Sequence, residues 1–476
     1  MLFYNTNDKS ERVTFQEALL RGQAPKSGLY TIDPGQIPKF SIGQIKAMEG
    51  WPYWLTAAKV LWPYLAGEIS EYDFMSLIKD AYDETIIPVS IQYVIGRTYI
   101  LWLTQGPTSS FKDFAARFFA RTLNHYAGKL GIKLIVVVAT SGDTGPAIAS
   151  SLHGLNNVAV VALYPAKNIS AGQRKQMTTI QDNVYAVEVA NGDFNLCQDL
   201  AIRLMGDKEF AREVFGNENI FTSANSISLG RLLPQIVFPF FAYSRVARNG
   251  EKMIVSIPSG NFGDLVGSVI AMKMGLPIGK IIVAVNENDE FDRFMKSSRY
   301  KIAPTRSTYS SAMDVNNPNN LPRLFDLYGG QMVNFPEQKG MINIMPDIKT
   351  MKRDLSTVST SNRATLETIK SIYRNYNIIL DPHGAVGWLG LEEYLCFYHN
   401  QLAVVWETAD PCKFPEVVEM AIGIKPPLAE NMARQVDLPE RKFIINSQPD
   451  RTEEGAIKHS AAQYDELKHI VAEVRL

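Results

Sequence analysis

Lys112 is the residue of this chain with the strongest case for covalent chemistry. It lies in LTQGPTSSFKDFAARFFARTL (103–123), between Phe111 and Asp113 and ahead of Phe114, Phe118 and Phe119. Gly106-Pro107 signals a turn. Ser109 or Ser110 can cap a helix, and Asp113 falls three residues after Ser110, the spacing of a capping box with Asp in place of Glu. Phe111, Phe114, Ala115, Phe118 and Thr122 recur at helical spacing and predict a buried face. Lys112 is therefore expected in the first helical turn, where the helix dipole is positive. Burial and that dipole both favour the neutral amine. A neutral lysine amine is a nucleophile of the kind that forms Schiff bases. The competing reading is a stem packed on the phenylalanines with its ammonium in water.

Two glycine loops can supply what such an amine would work on. SGNFG (259–263) stands between the apolar run MIVSIP and the helical pattern DLVGSVIAMKM. Amides at a helix N-terminus form an anion site, and glycines let backbone come close to a phosphate. TSGDTG (140–145) has the same placement and adds the hydroxyls of Thr140, Ser141 and Thr144. These can donate to a carboxylate or to a second phosphate. Neither loop carries GxGxxG or GxxxxGK[ST], which removes support from dinucleotide-binding and P-loop readings. A phosphate cradle, a hydroxyl loop and a perturbed lysine together suit pyridoxal 5'-phosphate: amine for the aldehyde, amides for the phosphate, hydroxyls for an amino-acid carboxylate.

The elements that must position these groups read as α/β. IKLIVVVA (132–139) and VAVVALYP (158–165) are near-continuous apolar runs, as in strands buried on both faces of a parallel sheet. The helical pattern between them implies a right-handed crossover. The same plan returns from MIVSIP to KIIVAVN, and LAVVWET (402–408) reads as another buried strand. IGRTYILWLTQGP (95–107) supplies one or two strands. DPHGAVG (381–387) opens a helix. Residues 1–100 read as mixed and mostly helical, with GLYTIDP (28–34) a loop and EYDFMSLIKDAYDE (71–84) an amphipathic helix. The Asn-, Ser- and Pro-rich stretch 307–325 is expected to be a long loop or lid, and the tail after about residue 430 a closing helical segment. The expected fold is two parallel-sheet, three-layer α/β domains. Three consecutive segments are predicted: a mostly helical N-terminal extension (1–95), a lysine and substrate-loop domain (96–245) and a phosphate-loop domain (246–476).

Totals exclude several classes. Lys and Arg number 48 against 49 Asp and Glu, so no basic surface for nucleic acid or anionic membrane is expected. The N-terminus is polar and lacks an apolar signal core, and no apolar run reaches the length of a membrane span. Cys197, Cys396 and Cys412 form neither CxxC nor a disulfide framework, which fits a reducing cytoplasm. His125, His153, His383, His399, His459 and His469 show no zinc-type spacing, so no metal is expected.

Several segments together resemble the threonine synthases, fold-type II pyridoxal-phosphate enzymes of the tryptophan synthase beta-like type. They are LLRGQAPKSGLY (19–30), GPTSSFKDFAARF (106–118), VATSGDTGPAIA (138–149), QRKQMTTI (173–180), SANSISLGRLLPQ (223–235), IPSGNFGDLVG (257–267), NENDEF (286–291), DPHGAVG and TADPCKF (408–414). The resemblance implies conversion of O-phospho-L-homoserine and water to L-threonine and phosphate, by γ-elimination and then β-hydration. It implies that Lys112 forms the Schiff base and shuttles protons. Gly260, Asn261, Phe262, Gly263 and Asp264 would hold the cofactor phosphate. Thr408 would face the pyridine nitrogen. Asp143 would lie against the cofactor, and Thr140, Ser141 and Thr144 against substrate. Asp410 departs from the family pattern, which carries histidine there. It either reaches the site, raising the pyridine nitrogen pKa or repelling phosphate, or caps a helix starting near Pro411. Lys167, Arg174, Lys175, Arg231 and Lys413 are candidate cations for the substrate phosphate. A monomer or homodimer is expected. The alternatives are a related ammonia-lyase on a phosphorylated hydroxy-amino acid and a cofactor-binding homologue with impaired catalysis.

Overall fold

The computed structural model describes residues 1–140, 142–167, 169–248, 250–333, 338–451 and 457–476. They form two compact units. One holds residues 1–18, 23–115 and 226–428, the other 19–22, 116–225 and 429–476.

The first unit opens with β1 (Phe3–Asn5), β2 (Asp8–Val13) and β3 (Tyr30–Ile32), an antiparallel sheet in the order β2-β1-β3. GLYTIDP is thus a strand at its centre, where Tyr30, Thr31 and Ile32 are all buried. The glycine and proline at its ends mask three β-prone residues. The N-terminal region is otherwise mixed and mostly helical, with helices Phe15–Arg21, Ile42–Lys46, Tyr53–Leu65 and Glu71–Ala81. The amphipathic helix is present as Glu71–Ala81, with Ser70 accepting from the Asp73 amide at 3.1 Å. Next come β4 (Ser90–Ile95) and β5 (Thr98–Trp102), an antiparallel pair.

The second unit contains β6 (Leu134–Ala139), β7 (Val158–Pro165), β8 (Val184–Val189) and β9 (Phe221–Ser223). The chain then returns to the first unit with β10 (Met253–Pro258), β11 (Ile278–Val285), a small ribbon of β12 (Gln331–Val333) and β13 (Met341–Ile344), β14 (Leu355–Ser359) and β15 (Leu402–Glu407). Six strands pair in the order β14-β11-β10-β15-β5-β4, all parallel but β4. Every residue of β10 and β15 is buried, as expected of strands covered on both faces.

β16 (Phe443–Ile445) crosses back to complete a five-stranded parallel sheet, β16-β8-β7-β6-β9. The tail is therefore strand and helix, not helix alone. Its last helix, Ala461–Ala472, places Tyr464, Leu467 and Val471 in the core of the second unit.

This division differs from three consecutive segments. β5 pairs with β15, about 300 residues later, and carries the chain up to Lys112 into the unit that holds residues 259–263. Residues 307–325 also differ from a bare loop. Leu321–Leu327 is a helix with Pro322 in its first turn. The stretch before it is tied down by Asn286 Nδ2 donating to Thr308 Oγ1 (2.8 Å), by Tyr309 N–H to Asn362 Oδ1 (2.8 Å) and by Ala312 N–H to His383 Nε2 (3.1 Å).

Candidate active site

β10, β15 and β5 are neighbours and parallel, so their C-terminal ends lie side by side. In open α/β sheets ligands bind at such ends. SGNFG leaves β10, Thr408 leaves β15, and the segment leading to Lys112 leaves β5.

The turn ahead of Lys112 is pinned to the end of β15. Phe111 N–H donates to the Thr408 carbonyl (2.9 Å), and Asp410 N–H to the Ser109 carbonyl (3.0 Å). Ser109 has φ 56°. Lys413, buried, donates from Nζ to the Thr108 carbonyl at 2.7 Å. Asp113 accepts from Thr108 N–H (2.8 Å) and Oγ1 (2.6 Å). The expected capping box is not made: Asp113 N–H donates to the Ser110 carbonyl (3.0 Å). Ser110 Oγ accepts from Lys112 N–H at 3.1 Å, while the Asp113 carboxylate, a methylene shorter than glutamate, turns to Thr108. A Cβ on Gly106 would stand 2.5 Å from Asp113 Oδ2, so glycine is required there.

Lys112 is the first residue of the helix Lys112–Leu130 and is half-buried. Its Nζ lies 4.8 Å from the centroid of the Phe111 ring. Phe111 and Phe114 pack on Phe238 at 6.4 and 5.6 Å, Phe238 on Trp406 at 5.8 Å, and Phe114 on Tyr53 at 5.1 Å. The aromatic stretch is a wall that fixes the start of the helix and the lysine on it.

The loop after β10 enters the helix Gly263–Lys273 through Phe262, which has the left-handed φ of 62°. Ser259 N–H bonds the Ala284 carbonyl at 2.8 Å. The amides of Gly260, Asn261, Phe262 and Gly263 have no acceptor among the described residues. Unanswered N–H groups at the head of an 11-residue helix are the chemistry of an anion site. The glycines have a reason beyond ligand approach. A Cβ on Gly260 would meet the Ala312 carbonyl at 3.0 Å, and one on Gly263 would meet Gln235 Nε2 at 2.7 Å.

Burial pushes the Asp264 carboxyl up to about 6, while amide hydrogen bonds and the Lys112 charge pull the other way. Thr408 is buried, and its hydroxyl has no partner among the described residues. Asp410 caps the 3-10 turn Pro411–Lys413, accepting from Cys412 N–H at 2.9 Å. The capping role holds. His383 bonds Asp381 through Nδ1 and accepts from Ala312 N–H through Nε2, so both ring nitrogens are satisfied in a packed role. Glu407, against Asp381, is driven well above the usual carboxylate range by burial and then by that neighbouring charge.

Sequence comparison bears on this arrangement directly. Residues 2–82 match the model for the threonine synthase N terminus, 102–397 that for pyridoxal-phosphate dependent enzymes, and 385–454 that for the threonine synthase C-terminal region. Threonine synthase of Pseudomonas aeruginosa is 33% identical over 460 residues, spanning 94% of this chain and 96% of the relative. The chain belongs to the threonine synthase family. The enzyme of Saccharomyces cerevisiae is 33% identical over 469 residues, 89% of each chain. The crystal structure of PLP-bound threonine synthase from Brucella melitensis is 28% identical, covers 100% of both chains and superposes with a TM-score of 0.88. The cofactor of this family is pyridoxal phosphate, and the free amides, the hydroxyl of Thr408 and the amine of Lys112 fit it.

The second loop of this threonine synthase family member lies in the other unit, at the end of β6. Thr140 Oγ1 accepts from the amides of Gly142 (3.2 Å) and Gly145 (3.0 Å) and donates to the Gly142 carbonyl (2.9 Å). Its hydroxyl shapes the loop. Asp143 accepts from Gln173 Nε2 at 2.8 Å, a partner the QRKQ segment contained without marking it. Thr144 starts the helix Thr144–Leu152, and its hydroxyl has no partner among the described residues. Ser141 lies outside the described residues. Of the candidate cations, Arg174 is paired with Glu440 at 2.9 Å, Lys175 donates to the Val436 carbonyl, and Lys413 holds Thr108. Arg231 is buried, which pulls its pKa down to about 10. Lys167 is exposed. Among the described residues no His, Cys, Asp or Glu cluster is placed to hold a metal, and no helix is long and apolar enough to cross a membrane.

Proposed function

We propose that this chain converts O-phospho-L-homoserine and water to L-threonine and phosphate, with Lys112 as its catalytic residue. The observation that carries the reading is the meeting, at the ends of β10, β15 and β5, of a pinned lysine, an amide loop lacking acceptors and the hydroxyl of Thr408. Pyridoxal phosphate bound there supplies an aldehyde for a primary amine and a ring that spreads the charge left when a proton leaves carbon.

The residues divide the work. The amides of Gly260, Asn261, Phe262 and Gly263 hold the cofactor phosphate at the positive end of the Gly263 helix. Thr408 offers a neutral hydroxyl to the pyridine nitrogen; unlike a carboxylate, it does not hold that nitrogen protonated. With the cofactor bound, the Lys112 amine would hold its aldehyde and give it up to the amine of the substrate. The freed amine would take protons from Cα and Cβ of the substrate and return protons to Cγ, which becomes a methyl as phosphate leaves it, and to Cα once water has added at Cβ. Such positioned proton transfer is worth about 10²–10⁴-fold in rate. Asp264 lies where the Lys112 charge is felt and supplies a buried carboxyl that answers changes in that charge. Asp143 steadies the second loop, where Ser141 and Thr144 take the substrate carboxylate, and Thr140 keeps the loop in shape.

We place the enzyme in the cytoplasm, as a monomer or homodimer with no nucleic-acid partner. Cys197, Cys396 and Cys412, none of them in a disulfide, support a reducing compartment, and light scattering on the purified chain decides the assembly.

Incubation of the purified, cofactor-loaded chain with O-phospho-L-homoserine tests the activity. Equimolar threonine and phosphate are expected. Ammonia with a keto acid would instead identify a lyase, and no product would identify a binding protein that has lost catalysis.

A further inference from the structure

The reaction above leaves the Asn- and Pro-rich motif NNPNN (316–320) and the arginine just beyond it without a role. Arg323 is fully buried. Its Nε and Nη2 donate to the Tyr30 carbonyl (3.0 and 2.7 Å), Nη2 also to the Ile227 carbonyl (2.7 Å), and Nη1 to Asn320 Oδ1 (2.6 Å). All these acceptors are neutral. Among the described residues Arg323 makes no ion pair, and burial alone pulls its pKa down to about 9. Burying an arginine without a carboxylate is costly unless its geometry is used.

The geometry leads to the phosphate loop. With its Oδ1 fixed by Arg323, the Asn320 carboxamide has one orientation. Its Nδ2 donates to the Asn261 carbonyl (2.9 Å) and to the Ser226 carbonyl (3.3 Å), and its backbone N–H also reaches the Asn261 carbonyl (3.2 Å). Asn319 N–H donates to Asn261 Oδ1 (3.2 Å), and Asn319 Nδ2 to Ser226 Oγ (2.9 Å). The Asn261 carbonyl and the Phe262 N–H belong to one planar peptide and point in opposite directions. Gripping the carbonyl therefore aims the N–H. Phe262 holds a left-handed conformation that a bulky residue keeps only when its surroundings impose it.

We propose that Asn320, oriented by the buried guanidinium of Arg323, is a positioning residue for the cofactor phosphate: it fixes the Asn261–Phe262 peptide so that the Phe262 N–H faces the anion. This rests on the reading of Gly260–Gly263 as the phosphate cradle. Asn320 touches neither cofactor nor substrate, and its effect is confined to the phosphate end of the ligand.

The test compares two ligands that differ only in that phosphate. The full chain, stripped of cofactor, is titrated with pyridoxal phosphate and with pyridoxal, as wild type, Asn320→Ala, Asn320→Asp and Arg323→Lys. The wild type is expected to bind pyridoxal phosphate the more tightly. Asn320→Ala removes the side-chain donor from the part-buried Asn261 carbonyl and is expected to weaken pyridoxal phosphate at least about tenfold while leaving pyridoxal unchanged. Asn320→Asp keeps its size, pairs with Arg323 and loses the donor, so it tests the same point should the alanine variant fail to fold. Arg323→Lys keeps the charge without the fork and should lose the same selectivity in part. Equal weakening of both ligands, or none, would overturn the positioning role while leaving the cradle intact. A wild type that binds both ligands equally would overturn the cradle reading and the proposal together.

Discussion

Lys112 sits on the first residue of its helix, under a wall of Phe111, Phe114 and Phe238, with its Nζ 4.8 Å from the Phe111 centroid. Its side chain is half-buried and closes no core gap, so Lys112→Ala should fold with wild-type stability yet lose at least about 10²-fold in turnover. Circular dichroism melts and product assays on the same sample check both parts. Asp264 gives a pH signature. A carboxyl near 3.9 in the unfolded chain and near 6 in the fold binds its proton more tightly when folded. Its contribution is complete below about pH 4 and is lost as pH rises through about 6, amounting to about 3 kcal/mol at most. Urea titrations from pH 4 to 7 should show this decline in the wild type and its absence in Asp264→Asn. Lys112, Thr408 and the glycines were legible in the sequence because each belongs to a short local pattern. Gln173, Asn320 and Arg323 were not, because their roles arise from pairing with residues tens to hundreds of positions away.

At the scale of elements, chemistry depends on how loops are tied to strand ends. The turn before Lys112 is held by Asp113, which bonds both the amide and the hydroxyl of Thr108. Asp113→Ala leaves that buried pair of donors unanswered and should cost about 3 kcal/mol in urea denaturation. A cost near zero would mean that the pairing of Ser109–Phe111 with Thr408–Asp410 holds the turn unaided. β6, β7, β10, β11 and β15 were readable because strands buried on two faces are apolar nearly throughout, whereas β8, β9 and β14 were not anticipated. β3 and β16 were missed. Each is three residues long, too short for periodicity to register, and exists only through its partners. Residues 307–325 looked like a loop because Asn and Pro are turn residues. Here the same residues serve as donors to Asn261 and as the opening turn of a helix.

The whole molecule is interleaved rather than serial. Residues 429–476 return to the second unit, where Ile445, Tyr464, Leu467, Val471 and Val474 join the core around β6, β7 and β8. Five buried side chains at about 1.5–3 kcal/mol each rival the roughly 5–15 kcal/mol that holds a domain folded. A chain ending at Leu428 should therefore lose the fold of the second unit, seen as rapid proteolysis between residues 116 and 225. Resistance there would contradict the tail's place in the core. The alternation of apolar runs with helical patterns pointed to the α/β class, but not to the division of the chain, because contact between residues 98–102 and 403–407 leaves no local trace.

The most direct measurement is to reduce the cofactor-loaded protein with borohydride, digest it and find by mass spectrometry which lysine carries the pyridoxyl group. Lys112 is expected to carry it, in the tryptic peptide 98–117 left whole because trypsin does not cut at a modified lysine, with no label in Lys112→Ala. Label on Lys413 or Lys167 instead, or labelling that survives the loss of Lys112, would contradict the assignment of the catalytic amine.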